Sequence, residues 1–262
     1  MISAKKSLGQ NFINDRNIIE KILNIVDIKN KKILEIGPGT GNLTSGLLNK
    51  LPKKLIAIEK DKKLVELLQK NYGTQIKLIE GDVLKIDENQ LDNDKLTVFG
   101  NLPYNISTEI LCKWILNLND ENFWFDCLIL MFQKEVADRI ISLPNTKNYG
   151  RLSIISNWKL IIKKICDVKP TSFFPRPKID STILYFQPKQ NFFKFKNPKN
   201  LEKITRIFFA QRRKMIKKPY NLLFNGNIDV ANKLNINLKD RPQNLDLETY
   251  YKLTNEFEKL TS

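Results

Sequence analysis

The chain has no histidine among its 262 residues. That removes the commonest general base, the serine–histidine nucleophile pair and most metal sites. Cysteine is nearly as scarce. Cys112, Cys127 and Cys166 stand far apart, without a C-x-x-C pair, in apolar surroundings that suit buried thiols rather than ligands or disulfides. No apolar stretch approaches ~18 residues, and Lys5 and Lys6 lead straight into polar residues, so neither a spanning helix nor a secretory signal is expected. Acid is also in short supply: 28 Asp plus Glu against 44 Lys plus Arg leave a net charge of +16. Such self-repulsion is relieved by a polyanion, so nucleic acid is the natural partner. The expectation is a cytoplasmic protein that uses neither metal nor membrane.

What is present is a rhythm. Strand-like runs at 32–36, 54–58, 77–80, 96–99 and 126–132 alternate with helical spacing at 42–51, 62–71, 108–118 and 134–143. This β-α-β-α order predicts an α/β fold, a parallel sheet with helices on both faces. The run 152–158 reads as helix or strand. Residues 160–168 and 181–187 read as strands joined by the proline-rich stretch 169–177, too short for a crossover helix, so a hairpin-like antiparallel pair at the sheet edge is expected. After Pro188 the composition shifts. Eleven basic residues against Glu202 alone fill 189–218, and helical spacing follows at 228–234 and 247–257. The division expected is a main domain over 1–189 and a small, basic, all-α domain over 190–262.

Three strand ends carry chemistry. Glu35-Ile-Gly-Pro-Gly-Thr-Gly41 follows a strand and opens a helix; Gly37, Gly39 and Gly41 let the backbone turn sharply and approach a ligand. The next strand ends in Glu59, placed to accept both ribose hydroxyls, and the third in Gly81-Asp82, able to accept from an adenine amino group. Together they form an adenosine site at the carboxyl edge of the sheet. The loop has no lysine and is entered past an acid, which argues against a triphosphate. A cationic sulfonium tolerates those carboxylates, so S-adenosylmethionine is the expected cofactor. The fourth strand delivers Asn101-Leu102-Pro103-Tyr104. Proline keeps Leu102 extended and is expected to leave the Leu102 and Pro103 carbonyls free; Asn101 offers an acceptor oxygen and Tyr104 a face for a base.

With this segment the chain resembles the small-subunit ribosomal RNA adenine dimethyltransferase family, amino methyltransferases acting on nucleic acid bases. The resemblance runs nearly end to end, through 8–12, 35–41, Glu59, Gly81-Asp82, 99–107, 133–136, 149–153, 173–181 and 211–214. It implies a Rossmann-like class I methyltransferase sheet. It implies that Asn11 and Ile13 close over the cofactor, that Gly37 lies by its methionine part, and that Asn101 spans cofactor and substrate. Tyr104 would stack on the target adenine and Phe173 cover its other face. The substrate implied is two adjacent adenosines in the 3′-terminal hairpin of small-subunit rRNA, each methylated twice at N6. Arg206, Arg212, Arg213 and Lys214 would grip the RNA backbone of the small-subunit precursor particle, and nothing suggests more than a monomer. Plainer roles compete: a core plug for Phe173, a solvated helix face for Arg212, Arg213 and Lys214, a helix cap for Asn11. Phe174 and Arg176 depart from the family pattern. The rival identities are a large-subunit rRNA methyltransferase of the antibiotic-resistance type, and a non-catalytic nucleic-acid-binding factor on the same scaffold.

Overall fold

A computed structural model describes residues 5, 8–118 and 122–261. Its contacts cluster into two units, one made of Met1–Leu111, Glu121–Ala137 and Ile162–Pro188, the other of Cys112–Asp120, Asp138–Ile161 and Lys189–Ser262.

The first unit is built on seven strands: β2 (Lys32–Ile36), β3 (Lys54–Glu59), β4 (Lys77–Glu80), β5 (Leu96–Asn101), β6 (Phe125–Gln133), β7 (Leu160–Val168) and β9 (Ser181–Pro188). They lie in the order β4-β3-β2-β5-β6-β9-β7. Near-continuous apolar runs such as Leu55–Ile58 and Leu128–Phe132 are buried, as strands covered on both faces require. The pairs β2–β3, β3–β4, β2–β5 and β5–β6 are parallel, and β9 runs antiparallel to β6. The antiparallel strand is therefore one in from the edge, with β7 outermost. The chain winds outward from β2 to β4, then returns to place β5 on the other side of β2. Strand order reverses there, and a crevice opens at the carboxyl ends at that point. Register does the rest: Ile36 lies level with Ile58 and Gly100, and Glu59 with Glu80, so the ends of β2, β3, β4 and β5 meet along one edge.

The first unit also holds α1 (Arg16–Leu23), α2 (Asn42–Asn49) and α3 (Lys62–Tyr72); α4 (Ser107–Asn117) and α5 (Lys134–Ile140) begin in it and end in the second. Asp15 caps α1 by accepting from the Asn17 and Ile18 amides, and Asp61 caps α3 through the Lys63 amide. A separate two-stranded ribbon joins β1 (Phe12–Ile13) to β8 (Phe173–Phe174), antiparallel, with Phe12 opposite Phe174 and Ile13 opposite Phe173.

The second unit holds α6 (Arg151–Lys159), α7 (Lys199–Phe209), α8 (Lys217–Phe224), α9 (Ile228–Lys233) and α10 (Leu247–Thr261). Its core includes Leu201, Ile204, Phe208, Tyr220, Phe224, Tyr250, Leu253 and Phe257. The expected helical segment 190–262 lies within it, but the unit also takes 112–120 and 138–161. The ambiguous run is the helix α6, tied in by the Trp158 indole on the Phe193 carbonyl (2.7 Å) and the Tyr251 hydroxyl on that of Ile154 (2.9 Å). Leu152 to Ser156, Trp158 and Lys159 are all buried. A helix covered on nearly every side shows no polar face, so its period could not be read. Among the described residues no helix is long and apolar enough to cross a membrane, and no three His, Cys, Asp or Glu side chains form a metal cluster.

Candidate active site

A cleft of ≈ 880 Å³, mouth included, opens at the carboxyl edge of the sheet and is lined by Gly37, Gly39, Glu59, Asp82, Asn101, Leu102, Pro103 and Tyr104 among others. Along the wall formed by β2, β3 and β4, Gly39 sits at φ +60, and a Cβ there would fall 2.6 Å from the Phe12 ring. Glycine is thus required twice over, by backbone conformation and by the close approach of β1. The Glu59 carboxylate accepts from the amides of Lys60 (2.9 Å), Asp61 (2.8 Å) and Gly39 (3.2 Å). Burial raises its pKa against the pull of those three donors. Asp82 is held below the usual carboxylate range, chiefly by the Lys60 ammonium at 2.8 Å; its other oxygen accepts from the Leu84 amide (3.0 Å).

Glu35 departs from expectation. It is 1% exposed and accepts from the Thr44 hydroxyl at 2.7 Å. Burial pushes its pKa up to about 8, with the neighbouring Glu59 charge adding to the rise. Burial thus favours the neutral form of the acid at the loop entrance, against the standing negative charge that its sequence position suggested.

The opposite wall is neutral. Asn101 donates through Nδ2 to the Asn11 carbonyl at 2.7 Å, and no described residue donates to its Oδ1. The carboxamide is therefore oriented, with its acceptor half left for a ligand. Leu102 is buried, and no described residue donates to its carbonyl. The Pro103 carbonyl, by contrast, accepts from the Ile106 amide (3.1 Å) in the turn before α4, so one of the two carbonyls expected to be free is consumed. Tyr104 is half-buried, and its hydroxyl is hydrogen-bonded to that of the buried Ser181.

The N-terminal segment crosses the cleft. Asn11 lines it, with its side chain on the Gly9 carbonyl (3.2 Å). It is not a helix cap, since Asp15 does that work. Ile13 borders an adjoining hollow shared with Glu35, Gly37 and Asn101, and its carbonyl accepts from Asn42 (2.6 Å). Upstream, Lys5 (2.7 Å) and Gln10 (3.0 Å) both grip the Asp61 carboxylate. Sequence reasoning gave no role to Asp61, Phe12 or Ser181, though the last two lie in the matched stretches 8–12 and 173–181. A glycine at 39, which asks what comes so near, was a signal for Phe12.

Phe173 is the expected site residue that the structure does not bring to the cleft. It is 1% exposed, packed in the core with Ile13, Met131 and Ile183, because pairing with Ile13 turns it inward. The core-plug alternative describes this placement, and the exposed ring is its neighbour Phe174. In the second unit Arg206, Arg213 and Lys214 face solvent. Arg212 is half-buried and donates to the Thr146 carbonyl (3.0 Å), so it also serves the fold.

The chain is similar to known proteins. The family described as "Ribosomal RNA adenine dimethylase" matches residues 1–259. A Pelagibacter ubique protein named "Ribosomal RNA small subunit methyltransferase A" is 63% identical, covering 99% of this chain and 98% of its own length. One of the same name from a Wolbachia of Drosophila simulans is 40% identical over 98% of this chain and 95% of its own length. A crystal structure of a dimethyladenosine transferase from Plasmodium falciparum superposes with a TM-score of 0.80 at 31% identity, covering 95% of this chain and 98% of that one. The 23S rRNA methyltransferase ErmE superposes at 0.68 with 20% identity, over 95% of this chain and 100% of its own, a likeness of fold alone.

Proposed function

The chain belongs to the ribosomal RNA adenine dimethylase family, and from that premise we propose that its cleft methylates N6 of two adjacent adenosines in the 3′-terminal hairpin of small-subunit rRNA. The observation that carries this reading is the Asn101 carboxamide, oriented by the Asn11 carbonyl with its acceptor oxygen open, on the same sheet edge as Glu59 and Asp82. The residues fit S-adenosylmethionine. Gly37 lines the cleft without a side chain of its own, Glu59 keeps one acceptor position beyond its three amide donors for the ribose hydroxyls, and Asp82 has an oxygen for an adenine amine. When bound, the cofactor supplies an electrophilic methyl group.

The chain's own residues then hold a base. An exocyclic adenine nitrogen is a weak nucleophile because its lone pair is delocalised into the ring. Hydrogen bonds from its two N–H groups to Asn101 Oδ1 and the Leu102 carbonyl favour a pyramidal nitrogen whose lone pair is free of the ring. The proton becomes acidic only as the new bond forms, so water suffices to take it, and the lack of histidine is no obstacle. Alignment supplies most of the acceleration. Tyr104, held at its hydroxyl by Ser181, offers its ring as a stacking face, a contact worth about 1–3 kcal/mol. The target must be unstacked to enter, which suits a hairpin loop. Arg206, Arg213 and Lys214 of the second unit supply backbone contacts that weaken with salt.

Mass spectrometry of the hairpin nucleosides after incubation of unmodified small-subunit particles with labelled methyl donor tests the whole reading. Two dimethyladenosines in that hairpin are expected. Label in large-subunit rRNA instead, or cofactor binding with no transfer, rejects it.

A further inference from the structure

One stretch of the first unit goes beyond the RNA-methylation reading on which this inference rests. From Phe173 to Lys178 burial alternates: Phe173 is buried, Phe174 is 64% exposed, Pro175 and Pro177 are half-buried, and Arg176 and Lys178 are exposed. Pro175 and Pro177 restrict their own backbones and those of Phe174 and Arg176 before them, so the strip is stiff without belonging to a long strand. Its two ends are tied to the cleft. Phe174 pairs with Phe12, a cleft residue, and Ser181 holds the hydroxyl of Tyr104, another. Two acids border the strip and both are engaged: the Asp180 carboxylate pairs with Lys169 at 2.7 Å and its carbonyl accepts from the Lys134 amide at 2.9 Å, while the Asp15 carboxylate accepts from the Ser172 hydroxyl at 2.8 Å and caps α1. Arg176 and Lys178 have no acidic partner among the described residues. A lone exposed phenylalanine needs no explanation. A rigid one beside two uncommitted cations, fastened to the rim of a cleft read as holding an unstacked base, has the features of a single-strand platform.

We propose that Phe174, Arg176 and Lys178 form a subsite for the nucleotide next to the target adenosine: its base stacks on the Phe174 ring and its phosphates pair with Arg176 and Lys178. The subsite extends the grip of the cleft along the RNA strand, on the same unit as the chemistry.

The test measures equilibrium binding of synthetic hairpin RNA to full-length protein. Two further hairpins are made abasic at the nucleotide on either side of the target pair. Phe174→Ala is expected to weaken binding of the intact hairpin by about 5- to 150-fold, the range for losing one stacked base, with cofactor affinity unchanged. Phe174→Trp should restore it. One of the abasic hairpins should bind wild-type protein as weakly as the intact hairpin binds Phe174→Ala, and the substitution should then cost nothing more on that RNA. Replacing Arg176 and Lys178 together by alanine should flatten the log–log salt slope by about 1.4, some 0.7 for each single-strand phosphate. Unchanged affinity in Phe174→Ala, or an equal loss on both abasic hairpins, overturns the subsite. Wild-type protein that binds but never methylates would overturn the broader reading instead, and binding scores the subsite without turnover.

Discussion

On the glycine-loop side of the cleft each carboxylate is held by donors: Glu59 by three amides, Asp82 by Lys60 and the Leu84 amide. On the Asn101 side the groups are uncharged. Asn101 and Tyr104 each have one hydrogen bond that fixes them and one face left open. The first wall is a rigid electrostatic seat whose donors hold the carboxylates in place before any ligand arrives. The second is a template, where the direction of a lone pair matters more than charge. Damage to the seat should therefore appear in affinity, and damage to the template in rate.

The sharpest way to break that contrast is Asn101→Ala. Single-turnover methylation should fall by roughly 10²–10³-fold, the scale of losing one pre-organised transition-state hydrogen bond. Cofactor affinity measured by calorimetry should fall far less; losses of equal size would erase the distinction between the walls. Next comes Glu59→Ala, expected to weaken cofactor binding by about 10- to 100-fold through loss of charge-assisted hydrogen bonds worth ~1.5–3 kcal/mol, with the rate at saturating cofactor nearly retained. Tyr104→Ala should cost about tenfold in RNA affinity, the lower part of the stacking range, and leave calorimetric cofactor binding intact. The smallest effect concerns pH. Glu35 has its pKa raised to about 8 in the folded state from 4.5, so between those values the folded chain holds a proton that the unfolded chain has lost. Stability from this group is complete below pH 4.5 and is lost as pH rises toward 8, with a slope of at most about 1.4 kcal/mol per pH unit. Denaturation curves of Glu35→Gln should show that slope flattened, and an unaltered slope would mean that the carboxyl is ionised throughout.

Much of the seat was legible in sequence because it is local. Glycine spacing, Glu59 and Asp82 each sit at the end of a strand that its own apolar run announces, and parallel register aligns the ends without further information. The template was half legible. Asn101-Leu102-Pro103-Tyr104 is contiguous, but its supports are distant: the Asn11 carbonyl, Ser181, and a turn that takes up the Pro103 oxygen. Two-residue strands such as Phe12–Ile13 and Phe173–Phe174 have no periodicity to read, and only their pairing decides that Phe173 points inward and Phe174 outward. The bond from Arg212 to Thr146 was hidden for the same reason, since no local pattern shows that this side chain reaches back so far.

The bond between the Asn101 amide and the Asn11 carbonyl spans 90 positions of sequence. Without that carbonyl a carboxamide can turn over end for end, presenting N–H where oxygen belongs, and a donor would then confront the donors of an incoming amine. Proteolytic trimming of the first dozen residues would act as a lesion of the reaction centre while every strand-end carboxylate stayed in place.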